Sequence, residues 1–337
     1  MKYIYLDFYD IKVSVHSNSE YVLESLKRDF AYFLKDILPS ADISIEAVDQ
    51  RPPWETVPQV RASLYLAGAI AYDRKGVRYV DYQNEALTVY RYGQETGYIY
   101  SEDKNLLHEL SYLLILSRAG ELLDKKGIHR IHGLGLSIAG KAALCLLPMG
   151  AGKTTLALSL LKDKKIKLIS DDIPLISKDG KVLPFPLRIG VNKKIDLGIP
   201  PEFLREFNRR HYGHKTLIDT KYFGSDMSGE SRPWIVFIGE REFSDTARIE
   251  PISKIRAIWP FMRDGVIGLG LPQVVEYFLR YNIKDLGKIS ILISRMLASL
   301  KIILRSETYR FVLGQDREKN SEMVKNFLNS KQGQYNE

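Results

Sequence analysis

A glycine-containing segment followed by a lysine and two threonines is the part of the sequence best suited to chemistry. It runs from Leu144 to Thr155 as Leu-Cys-Leu-Leu-Pro-Met-Gly-Ala-Gly-Lys-Thr-Thr. Glycines let the main chain approach a polyphosphate, and a helix that begins after them offers unpaired N–H groups and a partial positive charge. The pattern predicts a phosphate-binding loop between a buried strand and a helix over 154–161.

Each position of this segment has an expected role. Lys153 can span the β- and γ-phosphates, and the hydroxyl of Thr154 can hold Mg²⁺. The usual pattern has glycine where Leu147 stands, so the loop is a variant; an ordinary strand-to-helix turn with an exposed lysine is the alternative. The residues expected to contact the nucleotide are Gly150, Ala151, Gly152, Lys153, Thr154 and Thr155.

Two adjacent carboxylates follow the next predicted strand, Lys167–Ser170. Strand, phosphate loop, helix and strand make a βαβ unit, so Asp171 and Asp172 should emerge beside the loop. One carboxylate can support Mg²⁺, and the other can accept a proton from an attacking hydroxyl. A turn that merely ends the strand is the alternative for an isolated Asp pair.

The flanking sequence predicts the elements that position these residues. Residues 1–103 are predicted to form an α+β module, with alternating Tyr and apolar residues and a helix over 20–37 capped by Ser17. Helical spacing of leucines predicts a connecting helix over 104–127. Residues 128–330 are predicted to form the phosphate-binding domain with a C-terminal extension, including strands at 234–238 and 309–313 and a helix near 289–304.

Composition bounds the class of protein. The chain has 337 residues, a formal net charge of +8 and one cysteine. A single cysteine cannot form an internal disulfide, which fits a reducing cytoplasm, and Cys145 lies in an apolar strand where packing is expected. The basic balance favours acidic partners such as nucleotides, but no nucleic-acid module accompanies it. No apolar run reaches membrane-spanning length, so no membrane partner is expected.

Three motifs together resemble the catalytic core of the HPr serine kinase/phosphorylase family. They are Ile131–Gly140, Pro148–Thr155 and Leu168–Asp172. The resemblance implies an α/β fold, with a P-loop core of the HPr-kinase/phosphoenolpyruvate-carboxykinase type and a small N-terminal α+β domain. It also implies a kinase that uses ATP, or alternatively GTP, with Mg²⁺ to phosphorylate a serine hydroxyl.

Matched position by position, the resemblance assigns roles to the motif residues. Lys153 contacts the phosphates, Thr154 and Asp172 hold the metal, Asp171 is the catalytic base, and His132 is an active-site neighbour. The two aspartates could exchange roles, and a histidine before a strand can also be purely structural. Arg188, in a segment that resembles divergent relatives, is expected to approach the phosphates; a surface salt bridge is the alternative.

The organisation is most similar to stand-alone kinases of lasso-peptide biosynthesis, because the outer thirds of the chain do not match the HPr-binding enzyme. The expected acceptor is therefore a serine in a peptide or protein, such as the terminal serine of a lasso-peptide precursor. A nucleotide-binding switch without phosphotransfer and a small-molecule kinase are the alternatives. The oligomeric state stays open, a homo-oligomer included, as does the role of the basic run 209–215. The segment 268–279 predicts a glycine turn and an amphipathic helix.

Overall fold

The computed structural model describes residues 2–66, 68–148, 150–191, 198–209, 213–263 and 288–333. In these ranges the chain is mixed α/β and divides into two compact units. The first is built mainly from residues 2–126 and 190–222, and the second from 127–189, 223–263 and 290–333. No helix in the described ranges has the length and hydropathy needed to cross a bilayer.

A mixed sheet of nine strands dominates the described part of the first unit. Several of its strands alternate buried and less buried side chains, as period-two sequences require; in the first strand Ile4 and Leu6 are buried while Tyr3 is exposed. Across the sheet the order is β3-β1-β2-β4-β9-β8-β7-β6-β5. The strands are Lys2–Asp7 (β1), Lys12–Ser17 (β2), Leu34–Lys35 (β3), Ile43–Asp49 (β4), Leu64–Leu66 (β5), Ala69–Arg74 (β6), Val77–Asp81 (β7), Ala86–Arg91 (β8) and Thr96–Ser101 (β9).

Two helices cover this sheet, Glu20–Asp29 (α1) and Lys104–Lys125 (α2). The predicted helix after residue 103 is therefore present, begun by Asp103, whose carboxylate accepts the N–H of Asn105 at 2.8 Å. It ends before Gly127, which has φ +77°. Because α2 packs on β4 and β9, it belongs to the first unit instead of lying between two domains as the 104–127 prediction had it.

The prediction of a helix over 20–37 was wrong about where the helix ends and about the residue that caps it. The helix stops at Asp29, because that buried carboxylate binds His108 and the following Phe30 packs edge-on against Phe8. Ser17 does not cap it; its hydroxyl donates to the carbonyl of Ala47 instead.

The remaining strands of the described chain form three sheets. In the six-stranded sheet the order is β13-β11-β12-β19-β21-β20, and β10-β14-β15 and β16-β18-β17 form two small sheets. Their bounds are Ile128–Arg130 (β10), Leu134–Ile138 (β11), Lys141–Leu146 (β12), Ile166–Ser170 (β13), Leu175–Ser177 (β14), Val182–Leu183 (β15), Ile189–Val191 (β16), Leu204–Arg209 (β17), Gly213–Ile218 (β18), Arg232–Arg241 (β19), Arg248–Pro251 (β20) and Glu307–Leu313 (β21).

The second unit adds four helices within the described ranges. They are Lys153–Leu160 (α3), Lys254–Met262 (α4), Ile289–Arg305 (α5) and Arg317–Gly333 (α6). Its core joins strand residues such as Leu144 and Val236 to Phe261 of α4 and Ile302 of α5. The predicted strands at 234–238 and 309–313 are confirmed and lie side by side in the six-stranded sheet.

The described residues of the basic run 209–215, which are 209 and 213–215, belong to a hairpin in the first unit. Arg209 ends β17 and pairs with Gly213, the first residue of β18. Residues 210–212 lie outside the described residues, as do Met149 and the segment 268–279. The predicted domain 128–330 also differs from the observed division, because residues 190–222 belong to the first unit.

Candidate active site

Strand topology brings the predicted motifs to one edge of the six-stranded sheet. Strands β12 and β13 each pair antiparallel with β11, so they run parallel to each other with β11 between them. The loop after β12, the acids after β13 and the residues before β11 therefore meet at the same edge. This confirms the expected strand–helix–strand unit and adds an intervening strand.

The loop after β12 depends on two glycines with left-handed backbone conformations. Gly150 has φ +77° and Gly152 has φ +92°, and side chains other than glycine are strained in this region. Gly152 is the N-cap of α3 and provides no side chain to bond the first N–H groups of the helix. Those N–H groups can therefore donate to an anion. Ala151 is buried, and Thr155 follows in the first turn.

A close main-chain approach holds the start of β11 against the other two motifs. The N–H of Gly133 donates to the carbonyl of Asp172 at 3.0 Å. A Cβ at this glycine would lie 3.1 Å from the carbonyl oxygen of Cys145. Glycine is therefore the residue that fits here, and it carries His132 to the end of β13.

Lys153 lies at the centre of a cluster of side chains. Its Nζ is 2.8 Å from Nε2 of His132 and 3.0 Å from Oδ1 of Asp172. The Nδ1 of His132 is in turn 3.2 Å from the same carboxylate oxygen. The Lys153 side chain is 11% exposed, whereas that of Asp172 is 51% exposed. The cluster is therefore accessible through its carboxylate.

Thr154 pairs with the other aspartate. Its Oγ1 donates to Oδ2 of Asp171 at 3.0 Å. Neighbouring ligands of an octahedral Mg²⁺ are about 2.9 Å apart, because each lies about 2.05 Å from the metal at right angles. The two oxygens therefore fit one Mg²⁺. Among the described residues no group of three or more His, Cys, Asp or Glu could hold a metal alone, but Mg²⁺ bound with substrate phosphates needs only one or two protein ligands.

Arg188 follows a segment that runs beside the end of β13. The N–H of Phe185 donates to the carbonyl of Ile169 at 3.0 Å, two residues before Asp171. Arg188 itself is 9% exposed. Its contact with phosphate stays a prediction.

Cys145 is a packing residue, as expected from its apolar strand. It is fully buried in β12. Burial raises the pKa of its thiol to about 12, against a smaller lowering effect of the Lys153 charge. The thiol is therefore neutral and unreactive at neutral pH.

Sequence reasoning missed two residues that position the site. Gly133 admits the close approach of β11, and Ser170 fixes the turn of the acids by accepting the N–H of Ile173 at 3.1 Å. Both are small residues directly beside a predicted strand end, which is the signal that could have identified them.

Comparisons with known proteins add no relatives to this description. No protein-family model matches the chain, and no curated protein sequence matches it.

Proposed function

We propose that the protein is a kinase that transfers the γ-phosphoryl group of ATP to a serine hydroxyl, with Mg²⁺ as cofactor. The observation that carries this proposal is that two adjacent carboxylates have different partners: Asp171 binds Thr154, and Asp172 binds Lys153. A protein that only holds a nucleotide needs a metal-side carboxylate, whereas phosphotransfer to a hydroxyl also uses a carboxylate that can take a proton.

The proposed roles follow from these contacts. The N–H groups at the start of α3 and the Lys153 ammonium bind phosphate oxygens and offset the charge of the transition state. Thr154 and Asp171 would hold Mg²⁺, which would supply positive charge to offset that of the phosphates. The acceptor oxygen bonds to the γ-phosphorus while the bond to the β-phosphate oxygen breaks, ADP leaves, and the hydroxyl proton passes to Asp172.

This assignment reverses the roles that the resemblance gives to the two aspartates. The Asp171 carboxylate lies 3.0 Å from the Thr154 hydroxyl, the spacing of two neighbouring ligands of one Mg²⁺, so Asp171 suits the metal better. Asp172 is half exposed, which suits a group that must reach an incoming hydroxyl. The acceptor that agrees with the resemblance is a serine of a peptide, such as a lasso-peptide precursor.

His132 is proposed to position Asp172 and Lys153. When the ammonium of Lys153 donates to Nε2, the ring proton of the neutral imidazole lies on Nδ1, the atom 3.2 Å from Asp172. The ring then holds the carboxylate and the lysine in a fixed relation. It touches neither phosphate nor acceptor in this proposal.

The test is transfer of label from γ-labelled ATP to synthetic peptides that end in serine, against identical peptides that end in alanine. Serine peptides should become labelled, and Lys153→Ala should abolish the transfer. Lys181→Ala is the matched control, because it removes a half-exposed lysine of the same unit that pairs with Glu230. Nucleotide binding or slow hydrolysis without phosphopeptide would overturn the kinase proposal, and label in free serine would move it to small molecules.

A magnesium titration separates the two aspartates. Asp171→Asn should raise the Mg²⁺ concentration needed for half-maximal rate. Asp172→Asn should lower the rate about 10²–10⁴-fold at saturating Mg²⁺, because general-base catalysis is worth roughly that much. The opposite pattern would restore Asp171 as the base and Asp172 as the metal ligand.

A further inference from the structure

A cavity in the first unit is lined by residues of α1 and of the hairpin formed by β17 and β18. Its volume is about 360 Å³, near the lower end of the range for small-molecule sites. Phe207 and Leu217 are buried and give the cavity apolar walls, together with the ring of Tyr21. A cavity of this size and lining suits a small ligand with an apolar part.

Two arginines that line the cavity are held in place by neighbouring acceptors. The Nε atoms of Arg28 and Arg205 donate to the two carboxylate oxygens of Asp219. The Nη2 of Arg205 donates to Asp29 at 2.6 Å, and the Nη2 of Arg28 donates to the carbonyl of Glu202 at 2.8 Å. Because these bonds fix both guanidinium groups before a ligand arrives, binding costs them little conformational freedom.

Both guanidinium groups keep donors that a ligand can use. A guanidinium has five N–H groups, and the Nη1 atoms of Arg28 and Arg205 donate to nothing within the described part of the chain. Neither Nη1 is among the buried atoms without a partner, so solvent reaches both. The two arginines can therefore bind a carboxylate at the cavity.

The hydroxyl of Ser25 is a further polar group of the lining. Ser25 is 6% exposed, and its Oγ forms no hydrogen bond with any residue that the structure describes. Buried hydroxyl groups normally have a partner. A nearly buried hydroxyl without one, in a wall of a cavity that also presents free N–H donors, indicates a ligand acceptor at this place.

The same cavity also presents negative charge. Glu24 and Glu206 are exposed residues of its lining. One oxygen of Glu24 pairs with Lys27 at 2.6 Å, and one oxygen of Glu206 accepts from the hydroxyl of Thr216 at 3.3 Å. The second oxygen of each carboxylate is left for a ligand. A phosphate would meet these two carboxylates, and a simple cation would meet the two guanidinium groups, whereas a ligand with both charges side by side fits the lining.

We infer that this cavity binds a free α-amino acid with an apolar side chain. Its carboxylate accepts from the two arginine Nη1 groups and the Ser25 hydroxyl, as charge-assisted hydrogen bonds. Its ammonium group faces the two glutamates, and its side chain packs on Phe207 and Leu217. None of these residues belongs to the motifs around Lys153, so the inference does not depend on the proposed function.

The first test is isothermal titration calorimetry of the full chain with L-leucine and L-phenylalanine. At least one of them should bind, and glycine should bind about tenfold or more weakly because it buries no apolar side chain. Leucinamide lacks the carboxylate and N-acetyl-leucine lacks the ammonium group. Each analogue should therefore bind about tenfold or more weakly than leucine.

The second test repeats the titration with single variants. Arg28→Gln should weaken binding about 10- to 100-fold, because hydrogen bonds between charged groups are worth that much. Ser25→Ala should weaken binding about 2- to 10-fold. Its thermal unfolding should be unchanged, because the hydroxyl bonds no described protein group. Arg74→Gln is the matched control: it removes an exposed arginine of the same unit outside the cavity lining and should leave the affinity unchanged.

Four outcomes would overturn the inference. These are the absence of binding heat with each of the twenty amino acids at millimolar concentration, equal affinity for leucine and leucinamide, equal affinity for leucine and N-acetyl-leucine, and unchanged affinity in an Arg28→Gln variant that unfolds at the wild-type temperature. A peptide ending in leucine that binds as tightly as free leucine would also overturn it, and would assign the cavity to the C-terminus of a peptide.

Discussion

Two clusters of charged side chains, one in each unit, differ in their exposure to solvent. The cluster of the first unit is enclosed: Arg118 is fully buried, and its partner Glu121 is 3% exposed. In the second unit the cluster around Lys153 is open to solvent through Asp172, which is 51% exposed. Enclosed charges must be fully satisfied by neighbours, whereas an open cluster can exchange a protein partner for a ligand.

Two enclosed networks in the first unit show how such charges are paired. Arg118 also binds both carboxylate oxygens of Glu95 at 3.0 Å and lies over the ring of Tyr90. In the second network Asp29 accepts from Arg205 at 2.6 Å and lies 2.6 Å from Nε2 of His108. These groups join α1, α2 and β17 of the first unit. Their geometry fits a structural role, because no carboxylate of the two is half exposed as Asp172 is.

Among the substitutions that test this difference between the two clusters, Arg118→Met should cause the largest loss of stability. The variant should destabilise the first unit by about 3–5 kcal/mol, because it removes the buried cation that Glu121 and Glu95 share. Urea unfolding followed by circular dichroism measures the loss. Lys125→Ala is the control: it removes the half-exposed partner of Glu121 and should cost about 1 kcal/mol or less. Similar losses in both variants would contradict an enclosed network.

Lowering the pH should also weaken the Arg118–Glu121 pair, with a smaller loss of stability than that of Arg118→Met. Burial alone would raise the pKa of Glu121, but the charge of Arg118 and the hydrogen bond from Lys125 outweigh it and hold that pKa below 4.5. A carboxylate with a lowered folded-state pKa stabilises the fold above its unfolded pKa, and this contribution is lost as the pH falls through the folded value.

Urea midpoints measured from pH 6 downwards should therefore decline below about pH 4.5. The decline should be shallower in Glu121→Gln, which cannot titrate at this position. Equal slopes in the two proteins would rule out a contribution from Glu121.

Gly152→Ala tests whether the loop conformation of the second unit serves nucleotide binding. Open space surrounds its Cβ position, so the cost arises from φ +92° and should be about 1 kcal/mol of stability. Gly140→Ala is the matched control, with φ +75° and equally open space. Both should lose similar stability, but only Gly152→Ala should weaken ATP binding in calorimetry. Equal ATP affinities would show that the loop conformation does not serve the nucleotide.

The smallest expected change in stability is that of Lys153→Ala. Its partner Asp172 is half exposed and remains hydrated after the lysine is removed, so unfolding should shift by less than about 1 kcal/mol. Thermal unfolding by differential scanning calorimetry provides the measurement. A loss as large as that of Arg118→Met would place Lys153 among the structural charges.

Sequence periodicity predicted the elements around the site well, because local patterns decide them. The helix after Gly152 and the strand before Asp171 were placed within one residue of their observed bounds. What the sequence could not reveal were long-range contacts. The early end of α1 depends on Asp29 binding a helix 79 residues away, and the pairing of Thr154 with Asp171 instead of Asp172 depends on the turn fixed by Ser170.

The hairpin of β11 and β12 has an engineering consequence. Its turn, Ala139–Gly140, lies at the end of both strands opposite to His132 and the phosphate loop. Five residues of β11 separate the turn from that edge, about 16 Å along an extended strand. A fluorophore or short tag inserted at this turn would therefore report on the second unit while leaving the catalytic candidates unlabelled.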